Sequence, residues 1–312
     1  MRIIETANQM RSWINDQTAE GKSVGFVPTQ GCLHEGHESL LKQAQAECDR
    51  VVLSLFVNPI QFRKPAYEAY PRRIEADLKI AERCGVDAVF MPSVEEIYPY
   101  GLSLDDLFAL QVGDSGPRRP NEFTSDQVGT DHAMHYVRVP DRLVLRMDGQ
   151  LHPWHFDGVA TVVRRLFEVV TPDRAYFGQK DIQQLAILDA MNRWLSTKIE
   201  IVQVPIYRDA DGLSSSSRLT LLDPSQRALA IGVAHAIDAH SKRTGQRADA
   251  VLESLEAELN AIGTREDPLM IDCIECIDPE TLDAAPVIGE NAAIYVAYVI
   301  AGLRLAETRW CQ

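Results

Sequence analysis

The chain has 312 residues and carries 31 Lys and Arg against 45 Asp and Glu, which gives a formal net charge of −14. This acidic balance lacks the basic face typical of nucleic-acid-binding proteins, so we expect no nucleic-acid partner. Apolar residues make up 46% and charged residues 24%, a composition that predicts a packed core and excludes disordered and collagen-like chains. A chain of this length is expected to form two domains, or one large domain with an appendage.

The apolar runs are too short for a membrane span. The longest, residues 292–303, has 12 residues and includes Gly302, whereas a span needs about 20. The N-terminus turns polar at Arg2 and Glu5, which is not typical of a signal peptide. Six scattered cysteines indicate a reducing compartment rather than a disulfide framework. We therefore expect a cytoplasmic protein with no membrane partner.

Strands and helices alternate through the first two thirds of the chain. Strands are predicted at 23–27, 51–57, 86–91, 174–177 and 199–204, with helices at 37–48, 74–84, 159–170 and 181–195. Such alternation predicts an α/β fold with a doubly wound parallel sheet. Ligands bind sheets of this kind at the carboxyl ends of the strands.

The pattern changes after Pro205. Helices are predicted from Asp223 to about Arg243 and over 248–261, followed by strands around Ile271 and Ile294, which indicates a smaller α+β unit. We therefore predict domains at 1–205 and 206–312. Residues 102–134 show no periodicity and hold six acids against two arginines. A structureless insertion this long is expected to be either a lid or a mobile surface segment.

The first candidate site is the polar, glycine-containing turn at residues 28–37, between a predicted strand and a predicted helix. Glycines allow close approach of a ligand to the backbone, and a helix N-terminus favours an anion. His34 and His37 lie on one face of the first helical turn, where they could donate hydrogen bonds to phosphate oxygens. Two alternatives stay open at this point: a zinc pair, or two histidines without a role.

Three further segments follow strands or open the second domain. Asn58 and Gln61 place amides at a strand end, suited to hydroxyl or carboxylate groups. Lys180 follows a strand and a glycine, where a cation could neutralise a triphosphate, while Asp181 suits a helix N-cap. The run of serines at 214–217 before Arg218 combines hydroxyls with a guanidinium, as in a phosphate clamp, although serine runs are also typical of flexible loops.

These four segments, in this order and spacing, resemble the pantoate–β-alanine ligase family, nucleotidyltransferases with a His-x-Gly-His signature. The resemblance extends to residues 70–72, 76–78, 92–99, 204–206 and 278–282, and covers nearly the whole chain apart from 102–134. It implies a Rossmann-like domain with a C-terminal lid domain, a homodimer, and an ATP- and Mg²⁺-dependent ligase. Such a ligase would adenylate a carboxylic acid, release pyrophosphate, and pass the acyl group to an amine with release of AMP.

The resemblance also implies roles for individual residues. His34, His37, Lys180 and Arg218 would be catalytic. The nucleotide-binding set would be Pro28, Thr29, Gln30, Gly31, His34, Gly36, His37, Gly178, Lys180, Asp181, Ser216, Ser217 and Arg218. The set that binds the acid or amine would be Gln30, Asn58, Gln61, His155, Phe177 and Gln184. No protein-held metal site is expected.

The chain departs from the family pattern at several positions. Gln30 stands where family members typically have Met and Trp154 stands where a glycine is usual, both beside the acid pocket, and Leu219 replaces an Asn. The stretch after Gln61 is about one residue shorter, and the insertion at 102–134 is unusual. These departures indicate that the nucleotide chemistry is intact and that the acid pocket is changed. Pantoate is the expected acid, and another small hydroxy or amino acid is the alternative. A non-catalytic nucleotide-binding protein is the alternative of another class.

Two other pairs of residues have the spacing of possible metal ligands. Cys273 and Cys276 fall on a predicted strand, where residues three apart point to opposite faces. His132 and His135 lie about the end of the insertion and could share a helix face only if that segment were helical. Neither pair is predicted to bind a metal.

Overall fold

A computed structural model of the chain describes residues 1–99, 101–111, 120–128, 134–264 and 266–311, with Val128 and Ser217 described by their backbone only. The chain divides into two compact units. The N-terminal unit comprises Met1–Leu145, Gly149–Gly178 and Ile187–Val204. The C-terminal unit comprises Arg146–Asp148, Gln179–Ala186 and Pro205–Gln312.

Strands and helices follow one another along the described chain. The strands are β1 (Arg2–Ile4), β2 (Val24–Thr29), β3 (Arg50–Leu55), β4 (Ala88–Phe90), β5 (Thr124–Val128), β6 (Met134–Arg138), β7 (Arg174–Gly178), β8 (Glu200–Val204), β9 (Leu269–Ile277), β10 (Ala293–Ile300) and β11 (Leu303–Trp310). The helices are α1 (Ala7–Ala19), α2 (Glu35–Glu47), α3 (Lys64–Ala69), α4 (Ile74–Arg83), α5 (Val94–Ile97), α6 (Leu104–Ala109), α7 (Asp141–Val144), α8 (Met147–Leu151), α9 (Pro153–Val170), α10 (Ile182–Leu195), α11 (Pro224–Ser241) and α12 (Ala248–Ile262). Short 3₁₀ helices occupy Pro59–Gln61 and Ser217–Leu221.

The N-terminal unit is built on a parallel six-stranded sheet flanked by helices, which confirms the predicted fold class. Its strand order is β1-β4-β3-β2-β7-β8, and each neighbouring pair is parallel. The order reverses between β2 and β7, since the chain moves outward from β2 to β4 and then returns to the other side of β2. A crevice for a ligand forms at such a reversal, outside the carboxyl ends of the strands. β1 and α1 were not predicted.

Apolar aliphatic and aromatic residues fill the core beneath this sheet. Val27, Leu53 and Val89 on the strands are fully buried and pack with Leu41 of α2 and Tyr176 of β7. The Tyr176 hydroxyl donates to Glu47 Oε2 at 3.0 Å. Burial and the nearby Glu47 carboxylate and Cys48 thiol raise the pKa of Tyr176 well above its usual value, so the phenol stays protonated.

The C-terminal unit holds an antiparallel sheet of order β11-β10-β9. Ile237 of α11 and Leu255 of α12 are fully buried in one cluster with Ile294 and Val296 of β10. This matches the predicted α+β unit, but β11 was not predicted. The reason is visible in its burial: Glu307 and Thr308 are 2% and 1% exposed, so polar residues occupy positions where a strand pattern has apolar ones.

The insertion is partly structured, and the expectation of a structureless segment is wrong for its described residues. Ser103 and Asp106 form a reciprocal capping box that starts α6. β5 and β6 pair as an antiparallel hairpin. Phe123 stacks on Trp194 with ring centroids 5.6 Å apart. Short elements of this kind lie below the length at which periodicity can be recognised.

The structure describes one histidine of the His132 and His135 pair. His135 lies on β6 with its Nδ1 3.0 Å from Ser125 Oγ, while His132 lies outside the described residues. Residues 112–119 and 129–133 of the insertion also lie outside them.

Among the described residues, no helix is long and apolar enough to cross a bilayer.

The sequence-based domain division differs from the observed units at two short segments. Residues 146–148 and 179–186 fall in the C-terminal unit, although both were assigned to the first domain. Long-range contacts account for this: Asp148 Oδ1 accepts from Tyr295 OH at 2.7 Å, and the Lys180 carbonyl accepts from Thr308 Oγ1 at 3.0 Å.

Candidate active site

The turn after β2 depends on a glycine and a buried carboxylate. Gly31 adopts φ +84°, a backbone conformation that residues with a side chain rarely adopt. A Cβ at this position would also lie 2.9 Å from Asp77 Oδ2, which is too close. The Gly31 N–H donates to Thr29 Oγ1 at 3.2 Å, and Thr29 Oγ1 donates to the Ser54 carbonyl at 2.7 Å. The turn is thereby tied to both β2 and β3.

Asp77, in the first turn of α4, holds the next two residues of the turn. Its Oδ2 accepts the backbone N–H of Cys32 at 2.9 Å, and its Oδ1 accepts that of Leu33 at 2.8 Å. Asp77 is 3% exposed, so both bonds are shielded from water. Asp77 stood in one of the resembling segments, but sequence reasoning gave it no role.

His34 and His37 begin α2 together. His34 is the N-cap: its Nδ1 accepts the Gly36 N–H at 3.2 Å, and His37 Nδ1 accepts the His34 N–H at 3.3 Å. Because Nδ1 of each ring is an acceptor, the proton of each neutral imidazole resides on Nε2. The ring centroids are 4.2 Å apart. Two Nε2–H donors therefore share the positive end of α2, an arrangement suited to binding a phosphate group.

Asn58 and Gln61, in the loop after β3, form a buried amide pair. The Asn58 amide is oriented by the backbone, since Oδ1 accepts the Ile60 N–H at 3.3 Å and Nδ2 donates to the Gly158 carbonyl at 3.1 Å. Tyr98 OH also donates to Asn58 Oδ1 at 2.8 Å. Asn58 Nδ2 then donates to Gln61 Oε1 at 2.9 Å, which fixes the Gln61 amide with its oxygen toward Asn58.

Asn58 is 1% exposed, and its amide hydrogen-bonds within the protein to Gln61 and to the Gly158 carbonyl. Its observed contact is the one that orients the Gln61 amide, and its role in binding a substrate stays a prediction. Among the described residues, no hydrogen bond engages Gln61 Nε2, which can donate to a hydroxyl or carboxylate. Gly158 permits this packing, because a Cβ there would lie 2.4 Å from the Ile60 carbonyl oxygen.

Two other predicted substrate-binding residues, His155 and Phe177, also lie in the N-terminal unit. His155, in the first turn of α9, has its Nδ1 3.0 Å from the Gln61 carbonyl oxygen, so Nδ1 donates and Nε2 of the neutral ring is an acceptor. Phe177 is 5% exposed on β7. Trp154 is also buried, with the Arg63 guanidinium 4.8 Å from its ring centroid.

Gln30 borders a cavity of about 290 Å³ beside the carboxyl ends of β3 and β4. Apolar residues, among them Phe56, Val57 and Met91, line this cavity together with the cations Arg72 and Arg73 and the Asp77 carboxylate. One position at which this chain departs from the family pattern therefore borders a cavity.

The remaining predicted residues lie in the C-terminal unit, except Pro28 on β2 and Gly178 at the end of β7. A Cβ at Gly178 would meet nothing within 4 Å, so the space beside it is open. Lys180 Nζ donates to the Ser215 carbonyl at 2.9 Å. Burial lowers the pKa of Lys180 below its usual value, against the opposing effect of Asp181 and Glu307.

The serine run forms a turn that ends in Arg218. Ser216 caps the short helix Ser217–Leu221 by accepting the Arg218 N–H at Oγ, 3.3 Å away, and its hydroxyl proton can still be donated. The exposed Arg218 side chain donates to the Arg304 carbonyl at 3.1 Å. Gln184 is partly exposed on α10, whereas the neighbouring Gln183 is buried and donates to the Arg146 carbonyl at 2.9 Å.

Comparison with known proteins gives one consistent family. The model of the family described as pantoate-beta-alanine ligase matches residues 2–309. A pantothenate synthetase of Thermotoga neapolitana is 40% identical over 310 residues, which cover 98% of each chain. The chain belongs to the pantoate–β-alanine ligase family.

Solved structures agree with this assignment. The crystal structure of pantothenate synthetase from Thermus thermophilus matches with a TM-score of 0.80 at 35% identity, covering 100% of this chain and 99% of that one. Pantoate-beta-alanine ligase from Francisella tularensis, complexed with beta-gamma ATP and beta-alanine, matches with a TM-score of 0.72 at 26% identity, covering 99% and 97%. The resemblance drawn from the sequence is thereby confirmed, and with it the class of α/β fold that family members share.

Proposed function

We propose that this chain is an ATP-dependent ligase that joins pantoate to β-alanine. A pantoate carboxylate oxygen would attack the α-phosphorus of ATP, forming pantoyl adenylate and releasing pyrophosphate. The deprotonated amine of β-alanine would then attack the acyl carbon, forming the amide and releasing AMP. The observation that carries this proposal is the pair of Nε2–H donors of His34 and His37 at the N-terminus of α2, in a chain matched over residues 2–309 by the ligase family.

The proposal gives each group of residues a role. His34 and His37 stabilise the charge that grows on the phosphate oxygens as the bond at the α-phosphorus changes. Lys180, Ser216, Ser217 and Arg218 bind the phosphate chain, with Pro28, Thr29, Gly31, Gly36, Gly178 and Asp181 shaping the segments around it. Gln61, Gln184 and His155 bind the acid, with Gln30 and Phe177 in the surrounding wall.

Mg²⁺ enters the proposal with the nucleotide. Among the described residues, no three His, Cys, Asp or Glu side chains gather where they could hold a metal ion. Mg²⁺ is commonly held by substrate phosphates and water with few protein ligands, so the proposal does not require a protein-held metal site. Bound in this way, it would offset the charge of the triphosphate in a chain of net charge −14.

The proposal also includes a homodimer in the cytoplasm, as the family resemblance and the cysteine content suggest. Sedimentation velocity of the purified chain tests the oligomeric state. A single species of about 35 kDa, the mass of one 34.9 kDa chain, would contradict the dimer.

Acid-dependent exchange of labelled pyrophosphate into ATP tests the reaction and its substrate together. We expect exchange with pantoate, and pantothenate with one AMP per turnover when β-alanine is added. A panel of smaller and more polar hydroxy and amino acids tests the alternative acid. Exchange with one of these and not with pantoate would replace the substrate but keep the ligase. ADP as the stable product, or no exchange with any acid, would contradict the mechanism.

A further inference from the structure

Glu307 is a buried carboxylate on β11 whose two oxygens have different hydrogen-bond partners. It is 2% exposed. Its Oε1 accepts both the Ser214 N–H at 3.0 Å and the Ser214 hydroxyl at 2.8 Å, while its Oε2 accepts from Arg208 Nη1 at 2.8 Å. A buried charge is tolerated only when its oxygens are satisfied in this way. One carboxylate thus fixes the start of the serine run and pairs with a guanidinium.

The strand that carries Glu307 also holds Lys180. Thr308 Oγ1, one residue further along β11, donates to the Lys180 carbonyl at 3.0 Å. Lys180 Nζ in turn donates to the Ser215 carbonyl at 2.9 Å, one residue after the serine that Glu307 holds. Two neighbouring residues of β11 therefore fix the two segments to which the proposed function assigns phosphate binding.

The charges around Lys180 are mixed in sign. Asp181 and Glu307 favour its ammonium form, while Arg208 and Arg218 oppose it. Burial also opposes the ammonium form, so the pKa of Lys180 lies below its usual value. The opposing charges of Glu307 and Arg208 therefore affect how much of Lys180 is in the ammonium form, which is the form that would bind a phosphate.

We propose that Glu307 is a positioning residue for phosphate binding, which anchors the serine run through Ser214 and balances the Lys180 ammonium with its carboxylate. This inference rests on the proposed function, because it takes Lys180 and the serine run to be phosphate-binding segments.

Titration calorimetry of ATP with Mg²⁺ into the full chain, without any acid, tests this over pH 7–10. In the wild type, affinity should fall as pH rises through the pKa of Lys180. Glu307→Gln removes a negative charge, so the midpoint of this fall should move to lower pH by about half a unit to one unit. Arg208→Met removes a positive charge, so its midpoint should move to higher pH.

The decisive result is that Glu307→Gln and Arg208→Met shift the pH midpoint of ATP binding in opposite directions. A purely structural role would weaken binding in both variants with no such opposition. Ser214→Ala keeps all the charges and loses one hydrogen bond, so it should lower affinity a few-fold with an unchanged midpoint. Asp157→Asn is the matched control: this carboxylate is also buried and pairs with Arg138, but it is not among the charges acting on Lys180.

Neutralising one buried partner can destabilise the fold, so the double variant Glu307→Gln/Arg208→Met is included. It removes both charges, and its midpoint should return close to that of the wild type. Midpoints that stay fixed, or move in the same direction in both single variants, would overturn the role of Glu307. Absence of ATP binding by the wild type would overturn the phosphate-binding assignment as well, so the two failures are distinguishable.

Discussion

The Asp77 carboxylate on α4 accepts the backbone N–H of Leu33, 44 residues earlier in the chain, at 2.8 Å. The adjacent Cys32 N–H donates to the other oxygen of the same carboxylate. The segment that carries His34 is therefore held by a buried side chain from another helix, and the placement of the histidine depends on it.

Replacing Asp77 by Asn should disturb this turn, because the amide NH₂ would face a backbone N–H that then lacks an acceptor. A buried unsatisfied donor costs about 1–3 kcal/mol. We expect a lower melting temperature, together with a roughly 10- to 100-fold lower kcat/KM for ATP as His34 is misplaced. Asp49→Asn is a suitable control, since Asp49 accepts the Ser23 N–H at an exposed site. Unchanged kinetics in Asp77→Asn would show that the turn keeps its shape without the carboxylate.

The two roles of His34 can be separated by substitution. Asn is a good N-cap, so His34→Asn should keep the capping bond to the Gly36 N–H and leave stability near that of the wild type. It removes the Nε2–H donor, so kcat should fall by roughly 10²–10³. His34→Ala should lose both. Stopped-flow or steady-state assays beside thermal denaturation separate the effects, and near-normal turnover in His34→Asn would contradict a role in phosphate binding.

Asn58→Asp tests whether Asn58 orients Gln61. The carboxylate presents an acceptor to Gln61 Oε1, so the Gln61 amide should turn and direct Nε2 inward. We expect a KM for the acid raised about tenfold or more, with the KM for ATP little changed. Gln61→Glu should give a similar acid-specific effect. A comparable rise in both KM values would point to general distortion instead.

Gln30→Met tests the changed wall of the cavity beside β3 and β4. A buried amide without a partner costs about 1–3 kcal/mol, and the gem-dimethyl carbon of pantoate needs an apolar wall. The ratio of kcat/KM for pantoate to that for a more polar hydroxy acid should therefore rise by ~10–100-fold in the variant. Gln43→Met, on α2, is the matched control. An unchanged ratio would place the Gln30 side chain outside the acid pocket.

The sequence by itself determined the fold class and the candidate site segments. Buried strands alternating with helices gave the parallel sheet, since such patterns follow from local periodicity. The turn at residues 28–37 could be recognised because Gly31, His34 and His37 are close in sequence, and their geometry at a helix N-terminus is set locally. The remaining segments were recognised by their resemblance to one family, which the comparisons confirmed.

Only the tertiary structure decided which side chains hold the site in place. Asp77, Asn58 and Glu307 act on partners 44, 100 and 93 residues away, at Leu33, Gly158 and Ser214. No periodicity or spacing marks such residues, because their partners are brought near only by folding. The same cause hid β11: its buried Glu307 fits a strand only once Arg208 is there to pair with it, a condition that lies outside the strand's own sequence.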